Sequence, residues 1–501
     1  MPRDDDITVH VEWLARRLTQ QQEVAAATEQ HRVTVNAYRV SRVPGHVRDH
    51  NGDAYTPGLV AIGPLHAADP RLRAGNRLKM AYLNSLISRG HPDPAGHLGV
   101  IQDYVRLVAA REPEARAMYA AEDVDDLNAE DFIQMLVLDG CFIIEHLVNV
   151  ATGKEEPSLH ATPFGAAQLS VDLVLAENQI PFFVLVDLIS STRLPEFDNT
   201  GYSPPVLLMK LVLYYLGGEK GRDMSENLTA ANDVGHILHL LHAMVTEART
   251  RWEPAQRIQD SAPLEMMQEA ARLLRRLPLL LLVPLLYPIL PEDTRWKASY
   301  GQEGLSTAID LKRMWVRFKK AHGGGTGKAP AGIASLLGPV PLAVKLAHED
   351  RLRLPQLRIE FRTAPLLLNL MAFEQSADQR AGDVSAYVWL MAKLVQSKED
   401  AGVLVAAEVV QSSAAGSESK DDVVRFFGKV GAASEAAAEL EKSYLGKTLE
   451  KLRERSQHPL FMMWADVQRN YFTVPWAVVA EFVAFVTFIS TILQTYGSFK
   501  H

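Results

Sequence analysis

Cysteine is nearly absent from this chain, whose 501 residues include only Cys141. A single thiol cannot form a disulfide within the chain, which favours a reducing compartment. Cys141 lies in the apolar stretch LDGCFIIEHL, where a buried and unreactive thiol is the usual finding. The scarcity of cysteine therefore excludes both a disulfide framework and a zinc site built on paired cysteines.

The chain also lacks a strong excess of positive charge. Its formal net charge is −8 at pH 7, with 22% charged and 47% hydrophobic residues, as in ordinary globular proteins. We therefore expect no nucleic-acid partner. The basic cluster in DLKRMWVRFKK (residues 310–320) alternates with large apolar side chains. That pattern predicts an amphipathic strand or helix with a solvated basic face, the alternative being contact with anionic lipid or a partner.

Motifs for catalysis and cofactor binding are missing. The chain has no Gly-x-Ser-x-Gly elbow, no His-Glu-x-x-His and no dinucleotide fingerprint. The stretch HGGGTGKAPAG has His322 where a phosphate loop begins with Gly, and Ala329 where it ends in Ser or Thr, so a flexible loop is predicted. His236 and His242 lie ~120° apart around a helix, which favours helix-surface histidines over a metal site formed with His239. We expect no enzyme activity, cofactor or metal.

Helical periodicity dominates what is present. Apolar residues recur at intervals of three and four in AEDFIQMLVLDGCFIIEHLVNV (residues 129–150) and AGDVSAYVWLMAKLVQSKEDAGVL (residues 381–404), which predicts helices. The best strand pattern is the alternation of Leu357, Ile359 and Phe361. The sequence predicts a mainly α protein with one large irregular helical domain, a few short strands and a C-terminal transmembrane helix.

The predicted organisation has four parts. An amphipathic N-terminal helix lies within residues 1–35, and the main domain covers residues 36–471, with flexible loops near 322–332 and 412–422. The membrane segment at 474–493 and a short tail at 494–501 complete the chain.

The membrane prediction rests on VPWAVVAEFVAFVTFISTIL, residues 474–493. Twenty helical residues are ~30 Å long and match the hydrocarbon thickness of a bilayer. Basic residues before the segment outnumber those after it, which predicts a single-pass, tail-anchored protein with its bulk in the cytosol, the plasma membrane being favoured. Its defining residues are Val474, Pro475, Trp476, Glu481, Thr487 and Leu493. The alternative is the last core helix of a soluble scaffold.

A small and polar stripe through Glu481 and Thr487 predicts a helix–helix contact inside the membrane. The expected partners are therefore membrane lipid and a protein or helix that packs on the C-terminal segment.

Polar residues inside apolar runs are a second signal. Glu177, Asn178 and Gln179 precede IPFFVLVDLI, and Glu374 and Gln375 follow LLLNLMAF. An unsatisfied buried polar group costs about 1–3 kcal/mol, so these side chains are expected to form internal hydrogen-bond networks. Catalytic carboxylates would have the same sequence pattern, which leaves an enzyme such as a hydrolase as an alternative.

These segments resemble the plant family called domain of unknown function 247, also named UPF0481. The similarity begins in VSRVPGHVRDHNGDAYTPGLVAIGPLH and continues through DFIQMLVLDGCFIIEHL, DLVLAENQIPFFVLVDL and LRLPQLRIEFRTAPLLLNLMAFEQ to the terminal Pro-Trp. The motif residues, which we interpret as structural, are Pro44, Tyr55, Pro57, Gly63, Pro64, Asp139, Gly140, Cys141, Glu177, Asn178, Gln179, Pro181, Phe182, Asn369, Glu374 and Gln375.

The resemblance implies a mainly helical fold, a terminal membrane helix and no established enzymatic activity. Some grass members of the family are linked to pollen self-incompatibility. The function predicted from the sequence is therefore a membrane-anchored, non-enzymatic protein that acts through protein–protein interaction in recognition or signalling.

Overall fold

Helices make up most of the described chain, which confirms the mainly helical prediction. The computed structural model describes residues 39–154, 165–224, 233–246, 305–321, 332–338, 342–347, 350–376, 382–413, 416–434, 443–471, 487, 490 and 491. The chain divides into two compact units: unit 1 is Met1–Glu247, Thr326–Leu336 and Glu360–Ser385, and unit 2 is Ala248–Gly325, Leu337–Ile359 and Ala386–His501. The sequence predicts one main domain over residues 36–471.

The described part of unit 1 is helical. Its α-helices are α1 Gly45–Asn51, α2 Arg73–Gly90, α3 His97–Ala110, α4 Glu112–Ala117, α5 Ala121–Val124, α6 Ala129–Thr152, α7 Gly165–Asp172, α8 Phe182–Ser190, α9 Pro204–Asp223, α10 Ile237–Thr246 and α12 Thr363–Gln375. Short 3-10 turns lie at Gly52–Tyr55, Pro70–Leu72, Pro94–Gly96 and Pro195–Phe197.

The core of unit 1 is built around α6, which confirms the helix predicted at 129–150. Asn128 caps its N-terminus by accepting a hydrogen bond from the Asp131 N–H at 2.8 Å. Gly153 ends it at φ 66°, a left-handed conformation that glycine adopts without strain. Its 24 residues span about 36 Å, and its second half from Asp139 to Asn149 is buried without interruption.

The prediction of a C-terminal transmembrane helix is corrected, because the described helix that fits a membrane span is α6, a helix of the core. In the described residues, α6 is the helix with the length and apolar composition of a membrane span, and 72% of its apolar window is buried within the protein. It is apolar because protein surrounds it on most sides. The predicted segment 474–493 lies outside the described residues except for Thr487, Ser490 and Thr491, which are helical and exposed.

Glycine allows two core helices of unit 1 to approach closely. A Cβ atom at Gly140 of α6 would lie 2.3 Å from Cδ1 of Leu188 in α8. Leu188 is fully buried, so its side chain has little room to move away. Gly140 therefore sets the spacing between α6 and α8.

All five described strands belong to unit 2. They are β1 Arg317–Lys320, β2 Lys345–Ala347, β3 Arg351–Leu354, β4 Leu357–Ile359 and β5 Val410–Ser412. β3 is central in a three-stranded sheet, parallel to β1 and antiparallel to β2, with Leu352 opposite Phe318 and Leu346. β4 and β5 form a parallel pair. The predicted strand is confirmed for Leu357 and Ile359, whereas Phe361 lies outside it and is 51% exposed.

The described helices of unit 2 range from six to 18 residues. They are α11 Ala308–Arg313, α14 Lys398–Ala406, α15 Ser417–Ser434, α16 Gly446–Gln457 and α17 Pro459–Tyr471, with α13 Asp383–Leu394 beginning in unit 1 and continuing into unit 2. The helical pattern at 381–404 therefore forms two helices, because Ser397 starts α14 with a capping box that includes Asp400.

The flexible loop predicted near 412–422 is corrected by α15, which begins at Ser417. Its polar start is the solvated side of an amphipathic helix whose other side buries Val423, Phe427 and Val430. Glu418 in the first turn also favours the helix N-terminus.

The basic cluster at 310–320 forms both kinds of element that the sequence allowed. Lys312 and Arg313 end α11, and the remaining basic residues lie in β1. Arg317 bonds to Asp350 at 3.0 Å, so part of the cluster is paired within unit 2. The predicted N-terminal helix at 1–35 and residues 322–331 of the glycine-rich loop lie outside the described residues.

Candidate functional site

The polar motif residues of unit 1 surround residues 40–66, which we call the opening segment. Its path is set by α1, a 3-10 turn and a stretch of bends and turns before α2. Pro44 precedes α1 and its carbonyl accepts hydrogen bonds from the first turn. Tyr55, Pro57 and Pro64 are buried. Burial, followed by the charge of Glu177, raises the pKa of Tyr55 to about 12, so its phenol stays neutral.

Asp172, at the end of α7, holds the middle of the opening segment. Its carboxylate accepts hydrogen bonds from the backbone N–H groups of Gly58 (3.0 Å), Leu59 (2.7 Å) and Val60 (2.9 Å), and from the Gln168 amide (2.9 Å). Burial raises the pKa of Asp172, although these hydrogen bonds act in the opposite direction. The carboxylate thus satisfies three consecutive backbone N–H groups at a bend where no helix or strand provides acceptors.

Asn178 continues the same contact with both ends of its amide. The side-chain oxygen accepts the Ile62 N–H at 2.6 Å, and the NH₂ group donates to the carbonyls of Val60 (3.0 Å) and Asp172 (2.9 Å). Asn178 is 1% exposed. It therefore ties the opening segment to the turn that follows α7.

Gln179 orders that turn and joins it to α10. Its NH₂ group donates to the carbonyls of Leu173 and Leu175, both at 2.9 Å, and its side-chain oxygen accepts the Leu238 N–H at 3.1 Å. The Tyr119 hydroxyl donates to the Gln179 carbonyl at 3.0 Å. The side chain thus satisfies backbone groups on two separate elements.

Asp139, in the middle of α6, holds the end of the opening segment. It accepts the Gly63 N–H at 2.7 Å and forms an ion pair with Lys79 of α2. Burial raises the pKa of Asp139, and Lys79 opposes that shift. Gly63 is at φ 74°, and a Cβ there would lie 2.5 Å from the Gln179 carbonyl oxygen. A side chain is therefore excluded at Gly63 by both strain and space.

Glu177 holds the beginning of the opening segment. Its fully buried carboxylate accepts the Val43 N–H at 2.7 Å and the Arg48 guanidinium at 2.6 Å, and lies 3.1 Å from Nε2 of His66. Burial alone would raise the pKa of Glu177, but the hydrogen bonds from His66, Arg48 and Val43 outweigh it and hold the pKa below its usual value. Glu177 is therefore an ionised anchor.

Asn369 in α12 adds a contact from a distant part of the sequence. Its NH₂ group donates to the Ala54 carbonyl at 2.7 Å and to Pro365 at 2.8 Å, and its oxygen accepts the Ala176 N–H at 2.7 Å. The opening segment is thus held by side chains from α6, α7, the turn after α7 and α12.

Glu374 lies near the end of α12 and caps the start of α13. Its carboxylate accepts the N–H groups of Val384 and Ser385, both at 2.9 Å, and the Ser385 hydroxyl at 2.8 Å. Nε2 of His242 lies 3.0 Å from its other side. Because serine and histidine both bond to the carboxylate and not to each other, this is not a nucleophile–base pair.

The three histidines of HILHLLHAM pack around Phe373. Their ring centroids are 5.2 Å (His236), 5.7 Å (His239) and 5.5 Å (His242) from the Phe373 ring. The surface prediction is wrong for His236, which is 2% exposed and whose Nδ1 accepts the His239 N–H at 3.2 Å. In the described part of the chain, no group of three potential ligands could hold a metal ion.

Two further motif residues shape α8. Pro181 precedes the helix, and the N–H of fully buried Phe182 donates to the Gly235 carbonyl at 2.7 Å. Cys141 is also fully buried and burial raises its pKa, so the thiol is not ionised at neutral pH.

A cleft of about 110 Å³ opens beside the start of the opening segment. Glu177 and Glu374 do not line it, whereas exposed Gln375 does. Its described lining residues are Arg39, Ser41, Arg42, Val43, Pro44, Ala176, His236, Leu238, Ala372, Phe373, Gln375 and Ser376.

Sequence reasoning missed Asp172 and Arg39. Asp172 could have been found from its position inside the apolar stretch SVDLVLAENQ, where a charged side chain requires partners. No comparable signal marks Arg39, because a lone arginine before a loop is an ordinary surface residue.

Fold and contacts define a mainly helical protein whose buried polar motif residues fasten an N-terminal segment to a helical core. The chain belongs to the plant protein family of unknown function DUF247, which it matches over residues 40–490. This confirms the resemblance seen in the sequence.

Two relatives from Arabidopsis thaliana illustrate the range of similarity. The UPF0481 protein At3g47200 is 22% identical over 482 residues, covering 91% of this chain and 85% of the relative. The putative UPF0481 protein At3g02645 is 27% identical over 165 residues, covering 33% of this chain and 29% of the relative. No solved structure matches the chain.

Proposed function

We propose that this protein acts by binding other proteins and catalyses no reaction of its own. The observation that carries the proposal is the commitment of Glu177 and Glu374 to structural hydrogen bonds. Glu177 is fully buried and Glu374 is 4% exposed. Both carboxylates hold backbone N–H groups in place, as described above, and neither lines the cleft.

The alternative of a hydrolase that uses Glu177 or Glu374 has less support. A general base must reach a substrate proton within a hydrogen bond or through one water molecule. Here the serine and histidine nearest Glu374 bond directly to it, and the cation nearest Glu177 is Arg48 at 2.5 Å. These are the contacts of anchors, since each carboxylate oxygen already has a donor.

Exposed apolar side chains add support for a binding role. Leu98, Val105 and Leu107 of α3 are 66%, 41% and 37% exposed, although Tyr104 and Val108 of the same helix are buried. Leu98 and Val105 are seven residues apart and share one face of α3, whereas Leu107 lies on the opposite side, so the pair is the candidate contact for a partner.

The membrane localisation predicted from the sequence depends on residues 474–493, nearly all of which lie outside the described residues, and it stays a prediction. The same is true of the soluble-scaffold alternative. A setting such as grass pollen self-incompatibility also stays a prediction, since it came from the resemblance.

The test is chemical crosslinking followed by co-purification of the tagged full chain from the tissue that expresses it. We expect a reproducible set of crosslinked partners, with crosslinks that fall on defined surface residues. The matched control is the same chain with Leu98→Asp and Val105→Asp, which tests the α3 surface. Purified chain that recovers no partner, or that turns over an ester or glycoside substrate and loses turnover in Glu374→Gln, would contradict the proposal.

A further inference from the structure

The cleft beside the opening segment gathers basic and hydrogen-bonding groups without a described acidic side chain in its lining. This contrasts with the chain as a whole, whose formal net charge is −8. A local excess of positive charge on an acidic protein attracts negatively charged groups to that position.

Arg39 provides the charge. It is half-buried, and its Nε and Nη2 atoms donate to the carbonyl oxygen of Tyr119 at 3.1 and 2.7 Å. The neighbouring Val40 N–H bonds to the Met118 carbonyl at 2.8 Å, so backbone and side chain are both fixed. A neutral carbonyl orients the guanidinium without cancelling its charge, and Nη1 has no acceptor among the described residues.

Arg42 differs from Arg39 although both line the cleft. Its Nε lies 2.7 Å from Oδ1 of Asp123, and its Nη2 donates to the Leu65 carbonyl at 3.3 Å. Asp123 therefore balances the charge of Arg42. Arg39 is the arginine of the cleft whose positive charge has no carboxylate against it in the described contacts.

The volume and the lining residues of the cleft limit the kind of ligand that it can bind. Its volume of about 110 Å³ is well below the roughly 300–1,000 Å³ of sites for cofactors and drug-sized molecules. Phe373 and Leu238 supply an apolar wall, and Ser41, Gln375 and Ser376 supply polar groups. One side chain with a short apolar stem and an anionic end matches these walls.

We propose that this cleft binds the carboxylate side chain of a glutamate or aspartate in an acidic segment of a partner protein. The carboxylate meets the Arg39 guanidinium and its methylene groups contact Phe373. Charge-assisted hydrogen bonds of this kind are about twice as strong as neutral ones. The inference rests on the proposed function and names the chemistry of the partner.

The test uses the purified full chain and position-scanning libraries of acetylated heptapeptides whose central residue is Glu, Gln or phosphoserine. We expect central Glu to bind at least ten-fold more tightly than central Gln, with a preference that weakens as salt increases. Equal binding of Glu and Gln peptides would overturn the proposal. Binding of phosphoserine peptides alone would overturn it in favour of a phosphate site.

Variants of the exposed Ser376, which lines the cleft, test whether the preference for Glu over Gln peptides arises there. Ser376→Glu puts a carboxylate into the lining, where it can pair with Arg39 and repel the ligand, so the Glu preference should fall at least ten-fold. Ser376→Gln has the same size without the charge and should keep the preference. Arg39→Met should abolish it, whereas Arg77→Met on the exposed surface of α2 should not.

Failure here can be separated from failure of the proposed function. If Ser376→Glu keeps every crosslinked partner of the wild-type chain and also keeps the Glu preference, the cleft is not the binding site and the proposed function stands. If the wild-type chain recovers no partner at all, the proposed function fails. Loss of peptide preference together with loss of particular partners in Ser376→Glu supports both.

Discussion

At the scale of single residues, Asp172 controls the shape of the opening segment through three consecutive N–H groups. Asp172→Asn keeps the size of the side chain but replaces an acceptor oxygen with an NH₂ group that faces donors. We expect the free energy of unfolding to fall by about 2–3 kcal/mol, because buried donors lose their partner. Urea unfolding followed by fluorescence measures the change.

The matched control for that variant is Asp103→Asn on the surface of α3. Asp103 is 58% exposed in its side chain and pairs with Arg106 one turn away. Such a pair contributes little, so the free energy of unfolding should change by no more than about 0.5 kcal/mol. Equal losses in the two variants would contradict the anchoring role of Asp172.

The contribution of Glu177 to the free energy of unfolding should depend on pH. Its pKa is lowered in the folded chain, so between that value and about pH 4.5 the unfolded chain binds more protons at this group than the folded chain does. The contribution of Glu177 to stability is therefore complete above about pH 4.5 and is lost as the pH falls through the folded-state pKa. The difference in unfolding free energy between wild type and Glu177→Gln should shrink in that window.

Measurement of both proteins by urea unfolding at a series of pH values checks this sign. A difference that stayed constant from neutral pH down to about pH 3 would show that the carboxylate acts through packing and not through its charge. A difference that grew on acidification would mean that the pKa of Glu177 is raised.

Residue types were easier to predict than their partners. Burial of Glu177, Asn178 and Glu374 follows from charged or amide side chains inside apolar runs. Their partners cannot be predicted in the same way. Glu177 bonds to Val43, which lies 134 positions away in the sequence, and no local pattern encodes that pairing. Asp172 is a single acidic residue in its apolar stretch and gives a weaker signal than the three consecutive polar residues Glu177, Asn178 and Gln179.

At the scale of helices, Gly140 sets the approach of α6 and α8. In Gly140→Ala the new methyl group would overlap Leu188, with 2.3 Å between Cβ and Cδ1. Overpacking of this kind costs about 1–3 kcal/mol, which exceeds the gain from replacing a helical glycine with alanine. We therefore expect a lower melting temperature, measured by circular dichroism.

Gly99 in α3 is the matched control for that substitution. A Cβ at Gly99 would meet nothing within 4 Å, so Gly99→Ala should stabilise the chain by about 0.5–1 kcal/mol through helix propensity alone. Leu188→Ala removes the side chain that the new methyl group would overlap, so the losses caused by Gly140→Ala and Leu188→Ala should be less than additive in the double variant. If Gly140→Ala were as stable as Gly99→Ala, close contact would not determine the α6–α8 spacing.

Long amphipathic or apolar elements could be predicted, and short ones could not. The periodicity at 129–150 corresponds to α6, and the pattern after residue 381 corresponds to α13 and α14. The start of α15 was missed because SESKDD has the composition of a loop, although Val423 and Phe427 place it on an amphipathic helix. Short strands such as β2 depend on a partner strand and carry little local signal.

At the scale of the whole molecule, length and apolar composition did not separate a membrane span from a core helix. α6 meets both conditions, yet its second half is buried among other helices of unit 1. Its internal polar residues Asp139, Glu145 and Asn149 are buried and have hydrogen-bond or ionic partners. Buried charges require such partners, and α2 supplies them through Lys79 and Arg89.

Opening of the core of unit 1 can be measured in the intact protein through its one cysteine, Cys141. Cys141 is fully buried in α6 and burial raises its pKa, so a thiol-reactive disulfide reagent can reach the thiolate only when the core of unit 1 opens. We expect no rapid reaction in the native chain and one thiol per chain in denaturant. Gly140→Ala should react faster than wild type and Gly99→Ala should not. Cys141→Ala is the control and should not react, which establishes that the signal comes from this thiol. Rapid labelling of the native wild-type chain would contradict a closed core around α6.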